Sequence, residues 1–335
     1  MDANLKAKCD LLADNYKITQ NAAKLDFSQA AGLGALIYTN MNIRADESVI
    51  RSNRKILKHK VGALSNLRGH TNIALLCKMS LKRDPEAYLD NVVSAYKLLN
   101  YGVFRSEYEA LAAASIVDFA DPSQYQAIAQ KTGQILTEMS RNHPMLTGHE
   151  DVAVAALFAM SDLDVEAKLA EAEACYENLR HDHFTFAKDA LLSVCMILAL
   201  SEKPIEEKCE RFRQLRNAVN STDIHMFAGQ LPMLAAMVDT DATVDQVARD
   251  INEASHYLKG KSGFGSILGM GSSMRNVLAS AMALQVYQED AKASAAAATA
   301  GNVAASAIAQ QIVLAIVMTI IIIAVVSSSN SSSHS

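Results

Sequence analysis

The chain has 335 residues, of which half are apolar and 20% are charged, and its formal net charge at pH 7 is −5. This composition excludes wholesale disorder, because a chain with so much apolar surface can bury a core. The length suits either two ordinary domains or one repeat array with a continuous core. No Gly/Pro-rich linker precedes the C-terminus, so we expect one elongated helical repeat domain over residues 1–290.

The spacing of apolar residues predicts helices in chain order. A first helix is predicted over 3–16, and six helical hairpins follow at about 28–60, 70–100, 107–140, 150–180, 187–219 and 230–259. A helical period of 3.6 is clear in the second helix of the hairpins, as in Leu89, Val92, Val93, Tyr96 and Leu99. A glycine-rich loop at 260–271 then precedes a helix at 273–290. No segment alternates long enough for a strand, and the predicted fold class is all-α.

The predicted hairpins repeat with a period near 40 residues. An Ala/Leu-rich stretch ends in a small polar residue at Ser80, Ser161 and Ser201, and a degenerate copy near Asp118 fills the longer gap. Self-similarity of this length indicates stacked helix pairs. We therefore predict an α-solenoid-like array of about six helical hairpins.

Several helix starts are marked by capping residues. Asp84-Pro85 and Asp121-Pro122 place a side-chain acceptor before a proline, whose missing N–H costs nothing in the first turn. Gln124 lies three residues after Asp121, as in a capping box. These residues predict where the second helices begin.

The C-terminal segment, 291–326, is Ala-rich and then Ile/Val-rich. From Ile308 to Val326 it holds seven Ile, four Val and one Leu, with Gln310 and Gln311 as its strongly polar members. Such a run approaches the roughly 20 apolar residues that cross a bilayer. The two interpretations are a C-terminal membrane anchor and a final helix buried in the core. The Ser-rich tail at 327–335 is predicted to be disordered.

A basic block forms the clearest charged feature. Residues 48–83 include nine Lys and Arg and no acid, so with an overall charge of −5 the rest of the chain carries −14. An anionic partner is expected to contact the block. Its members are Arg51, Arg54, Lys55, Lys58, Lys60 and Arg68. Nucleic acid and anionic lipid are the candidate partners. Nucleic acid is disfavoured because no aromatic residues interleave the charges, and lipid is favoured over it if the C-terminal segment inserts in the membrane. The alternative is a solvated helix face.

Two further motifs admit a binding interpretation. The glycine-rich loop with Arg275 in the following helix resembles a phosphate cradle, but the P-loop spacing and a preceding strand are lacking. A simple inter-helix connection is favoured, with Phe264 packed on the core. His181-x-His183, and His143 with His149, Glu150 and Asp151, lack the i, i+4 spacing of helical metal ligands. We therefore predict no metal and no cofactor.

The five cysteines, an odd number with no C-x-x-C, favour a reducing compartment. The N-terminus has no apolar stretch of a secretory signal. The sequence thus predicts a cytoplasmic body, held at the inner face of the cell membrane if the C-terminal segment is an anchor.

A family resemblance rests on four short motifs. They are residues 142–147 (NHPMLT), 155–162 (AALFAMSD), the loop Lys261-x-Gly263-Phe264-Gly265, and Ile308-Ala309-Gln310-Gln311. Together they resemble the domain of unknown function 4003 family, uncharacterised proteins found mainly in Gram-positive bacteria. The resemblance implies a bacterial, helical, intracellular or membrane-associated protein. It supplies no activity and no site residues. The Ile-rich end of this chain differs from the Ala-rich ends of the family.

Two functions remain open from the sequence. The first is a non-enzymatic repeat scaffold whose concave face binds a protein or peptide, tethered to the membrane by its last helix. The second is a soluble enzyme or small-ligand-binding protein with an α/α-toroid cavity. The enzyme hypothesis is the weaker one, because no nucleophile motif is present and the chain has no Trp. No catalytic residue is predicted.

Overall fold

The structure is a computed structural model of the whole chain. It describes residues 1–23, 28–69, 72–99, 106–143, 147, 151–160, 164–182, 188–224, 230–265 and 270–298. These residues form fourteen α-helices and two short 3₁₀ helices, and no strand occurs among them. The all-α prediction is confirmed.

The first seven helices are α1 (Ala3–Ala23), α2 (Ser28–Asn40), α3 (Glu47–Lys60), α4 (Asn72–Ser80), α5 (Pro85–Leu98), α6 (Glu107–Phe119) and α7 (Tyr125–Asn142). The other seven are α8 (Asp151–Met160), α9 (Val165–Leu179), α10 (Lys188–Leu198), α11 (Ile205–Asn220), α12 (Leu231–Ala235), α13 (Val244–Lys259) and α14 (Gly271–Ala298). The 3₁₀ helices are Asn66–Arg68 and Pro122–Gln124. Each predicted hairpin therefore corresponds to two consecutive helices, from α2–α3 to α12–α13.

The predicted caps are present. Asp84 accepts hydrogen bonds from Glu86 N and Ala87 N at the start of α5, with Pro85 in the first turn. Asp121 and Gln124 form a reciprocal capping box before α7. Because the residue before a proline avoids helical backbone angles, these Asp-Pro pairs end one helix and begin the next.

The two helices of a pair differ in how much they bury. In α8 nine of ten positions are buried, and in α4 and α6 most positions are, which matches their largely apolar sequences. In α5, Leu89, Val92 and Tyr96 are buried on one face while Lys97 is exposed. A helix that is apolar all round lies inside a protein, and an amphipathic one covers it.

The chain divides into two compact units. The described residues of one unit lie within Asp14–Val165, and those of the other comprise Met1–Ala13 and 166–298. In the 14–165 unit, α2 packs on α4 and α6 on α8, while α5 contacts both α3 and α7. In the 166–298 unit, α10 packs on α12, α11 on α13, and α14 on α12 and α13. First helices thus contact first helices and second helices contact second helices, and in the 14–165 unit α3, α5 and α7 also pack on the first helix of the next pair.

Two element boundaries differ from the prediction. Helix α1 continues to Ala23 rather than ending near residue 16, and Thr19 is buried there with its hydroxyl donating to Ala31 O. Helix α14 runs from Gly271 to Ala298, past the predicted end at residue 290. The apolar run from Ile308 to Val326 and the tail at 327–335 lie outside the described residues. Within the part of the chain that is described, no helix has the length and hydrophobicity of a membrane span.

Candidate functional site

Helix α3 carries most of the basic block, and its N-cap and the contacts of its buried side fix its position. Asp46 caps the helix by accepting from Ser48 N at 2.8 Å and Val49 N at 3.3 Å. Ile50, Asn53 and Leu57 are buried. The Asn53 amide donates to Leu76 O and Ser80 Oγ of α4 at 3.2 and 3.0 Å, respectively. This bond sets which side of α3 faces solvent.

The opposite side of α3 carries an exposed basic face, which we define as Arg51, Lys55 and Lys58. Their spacing of four and three residues places them on one side of the helix. Arg51 pairs with Glu47 at 2.6 Å and donates to Asn21 O at 3.3 Å. Lys55 and Lys58 are exposed and have no ion-pair partner among the described residues. Two positive charges are therefore available to a partner.

The rest of the predicted block has structural contacts. Arg54 is half-buried and donates to Ala22 O at 3.3 Å. Lys60 pairs with Asp90 at 2.7 Å and with Glu86 at 3.4 Å, contacts that raise its pKa. Arg68 donates to Val61 O at 3.2 Å. These three cations hold α3 against its neighbours, so the basic face is smaller than the sequence suggested.

Four exposed apolar side chains lie on α3 and in the turns at its two ends. We call Met41, Ile43, Val49 and Leu64 the apolar margin; they are four of the six large hydrophobic residues exposed in the described part of the chain. Met41 and Ile43 lie in the turn before α3, where both backbone N–H groups donate to Tyr38 O. Leu64 lies in the turn after α3 and is fully exposed. The sequence analysis missed these residues, although an apolar residue in a polar turn is a detectable signal.

A second polar cluster, around Asp118, joins three helices. Its carboxylate accepts from Lys78 at 2.5 Å, from Lys82 at 2.8 Å and from the Tyr88 hydroxyl at 3.1 Å. Burial favours a raised pKa for Asp118, but the two lysine charges outweigh it and the pKa is lowered. The carboxylate is thus ionised and ties α6 to α4 and α5.

A third polar cluster, around Lys208, joins helices in the 166–298 unit as the Asp118 cluster does in the 14–165 unit. Lys208 of α11 is completely buried and donates to the Glu171 carboxylate and to Ser201 O. Ser201 Oγ in turn donates to Asp239 Oδ1 at 2.6 Å. The partners Ser201 and Asp239 are 38 residues apart, and Lys78 and Asp118 are 40 apart. Polar contacts thus join positions about one repeat period apart within each unit.

The chain matches a known protein family over most of its length. A model of a family described as protein of unknown function (DUF4003) matches residues 15–326. The chain belongs to the DUF4003 family. Neither a curated protein nor a solved structure matches it. The resemblance drawn from the short motifs is therefore confirmed.

The motifs behind the resemblance to DUF4003 lie partly in the core. Residues 155–160 lie in α8, where Leu157 and Phe158 are buried. Phe264 is fully buried, as predicted. Residues 144–146 and 161–163, and the start of the apolar run, lie outside the described residues. The described motif residues explain packing rather than chemistry.

The remaining candidate ligands do not converge in the described part of this DUF4003 protein. No group of three or more His, Cys, Asp or Glu there is arranged to hold a metal ion. His149, Glu150 and His183 lie outside the described residues. All five cysteines are free and buried, as expected of thiols that pack as small hydrophobes.

Proposed function

We propose that this DUF4003 protein is a helical-repeat scaffold that binds an acidic, partly apolar segment of a partner protein on α3. The observation that supports this most directly is the pairing of the basic face with the apolar margin. The proposal assumes that the stacked pairs continue as a solenoid-like array.

Charge and apolar exposure favour the same partner. Lys55 and Lys58 attract acidic groups, and this steering acts mainly on the rate of association. A partner that covers Leu64 and Met41 stabilises the complex by about 25 cal/mol for each Å² of apolar surface removed from water. Met41 is 57% exposed. A segment with acidic and apolar side chains satisfies both.

The other polar clusters support a scaffold over an enzyme. The pKa values of Asp118 and Glu171 are lowered by their lysine partners, which is the reverse of what a general acid requires. Burial raises the pKa of Cys77 and Cys195, which disfavours a thiolate nucleophile at either of these two positions. The carboxylates of Asp118 and Glu171 instead join neighbouring helices through their lysine partners.

The experiment measures binding of the full chain to a fluorescein-labelled peptide of alternating Glu and Leu. Two parallel arms use a single-stranded oligonucleotide and vesicles with anionic lipid. The variant Lys55→Glu with Lys58→Glu reverses both free charges. The matched control, Lys17→Glu with Lys259→Glu, changes the net charge equally at two exposed lysines outside α3.

The peptide is expected to bind, and the α3 variant is expected to weaken it about tenfold while the control binds like the wild type. Equal loss of peptide binding in the two variants would show that net charge alone causes it, and would refute a binding site on α3. Binding to the oligonucleotide or the vesicles, with none to the peptide, would assign α3 to a different partner class.

We propose further that the run from Ile308 to Val326 tethers the scaffold to the inner face of the membrane. Its support is its composition, because seven Ile and four Val in 19 residues favour insertion. Membrane fractionation of the full chain is compared with that of a chain ending at Ala298, the last residue of α14. Pelleting of the full chain alone is expected, and recovery of both in the supernatant would refute the tether.

A further inference from the structure

Arg275 is a buried cation in the first turns of α14. Arg275 is 7% exposed. Its Nε donates to Ser255 Oγ of α13 at 3.3 Å, and its Nη1 donates to Phe264 O of the glycine-rich loop at 3.0 Å. Ser255 donates onward to Asn276 Oδ1 at 2.6 Å. The guanidinium therefore points back from α14 toward the loop.

No carboxylate neutralises this charge within the described residues. Both groups that accept from Arg275 are neutral, and its Nη2 has no hydrogen-bond partner there. Burial lowers the pKa of Arg275, and no acidic neighbour opposes that effect. A charge in this position is costly unless it is paired, and Nη2 is not enclosed by the protein, so an anion can reach it from solvent.

The backbone around Arg275 favours an anion as well. Gly263 and Gly271 have φ values of +88° and +81°, and Met270 N donates to Gly263 O at 3.0 Å. This bond brings the start of α14 next to the loop that Arg275 contacts. The first N–H groups of a helix have no partner within it, and the 28 residues of α14 add a positive dipole end there. The N-terminus of α14 and the Arg275 guanidinium thus lie beside the same loop.

We propose that Arg275 and the first turn of α14 bind the phosphate group of a small ligand. The free edge of the guanidinium fits the paired oxygens of a phosphate, and the helix N-terminus supplies further donors. Ser272 and Ser273, exposed in the same turn, give the ligand access from solvent. This site lies in the 166–298 unit, and it does not depend on the basic face of α3.

Thermal unfolding of the full chain with increasing inorganic phosphate tests the site, against chloride at the same ionic strength. Glycerol phosphate forms a second arm. Vesicles of phosphatidic acid, compared with phosphatidylcholine vesicles, form a third arm that distinguishes a lipid headgroup from a soluble phosphate. The variants are Arg275→Met and Arg275→Lys. The control is Arg249→Met, which removes an arginine with a 59% exposed side chain from α13.

The midpoint of unfolding should rise saturably with phosphate in the wild type and in Arg249→Met, as expected for a ligand of the folded state. Arg275→Met should abolish the rise, and Arg275→Lys should weaken phosphate binding at least tenfold because lysine lacks the planar fork. A wild type that does not respond, or the same response in Arg275→Lys and the wild type, would overturn the proposal.

Discussion

Lys208 has no exposed side-chain surface, and its ammonium group lies against the carboxylate of Glu171 on α9. Glu171 also accepts from Lys168 at 2.9 Å, so one partly exposed acid serves two lysines. The hydrogen bond from Lys208 to Ser201 O, at 3.1 Å, leaves the buried ammonium in contact with α9 and with the turn after α10. A buried cation of this kind makes the unit sensitive to the loss of a single carboxylate.

Glu171→Gln should lower the free energy of unfolding by about 3–5 kcal/mol, because Lys208 would remain buried without a counter-charge. The matched control is Glu207→Gln, which breaks a surface pair with Lys203 and should cost about 1 kcal/mol or less. Urea denaturation of both variants measures the difference. Equal, small effects would show that Lys208 does not need its acid.

The Asp118 cluster predicts acid sensitivity. The folded-state pKa of Asp118 is lowered, so the unfolded chain binds protons more readily, and the contribution to stability is present above about pH 4 and lost as the pH falls. The variant Asp118→Asn should therefore be less stable than the wild type at pH 7, with the gap narrowing below about pH 4.

Urea denaturation at a series of pH values measures this gap. Asp14→Asn, at an exposed position of α1, is the control and should follow the wild-type profile. A constant gap between Asp118→Asn and the wild type from pH 7 to pH 3 would contradict the assignment.

Gly271 predicts a backbone effect. Its φ of +81° disfavours any residue with a Cβ, although a Cβ there would meet no atom within 4 Å. Gly271→Ala should cost about 1–2 kcal/mol, from backbone strain alone. Gly265→Ala is the control, since this loop glycine has equal space and no positive φ. Calorimetric midpoints should separate the two variants, and equal midpoints would refute the strain.

The five thiols should be unreactive in the folded protein. Cys9, Cys77, Cys175, Cys195 and Cys209 are all buried, and burial raises the pKa of Cys9 to about 12. An aromatic disulfide reagent should react with five thiols in guanidinium chloride and with almost none under native conditions. Rapid reaction of one thiol in the native protein would show that its helix opens locally.

The sequence predicted the helices well because their signals are local. Asp84-Pro85 and the spacing of Leu89, Val92 and Tyr96 determine α5 within a few residues. The free charges of α3 were less predictable, because Arg54 and Lys60 are engaged by Ala22 O and by Asp90, which are distant in sequence. The lack of an acid beside Arg275 among the described residues could not be predicted for the same reason.

The end of α1 shows the limit of periodicity. Thr19 and Asn15 are polar but buried. Asn15 donates to Thr39 Oγ1 at 3.1 Å and accepts from Ala45 N at 2.8 Å. Buried polar groups are stable when they are satisfied, and their partners come from α2 and the turn that follows it. The hydrogen-bond partners of these buried polar residues can be identified only in the folded structure.

The spacing between Lys78 and Asp118 has a consequence for how the protein is made. The lysine leaves the ribosome 40 residues ahead of the carboxylate that will neutralise it. Glu171 likewise precedes Lys208 by 37 residues. Until the second partner has been synthesised the first carries an unmatched charge, so these two contacts can form only after the following repeat has been made.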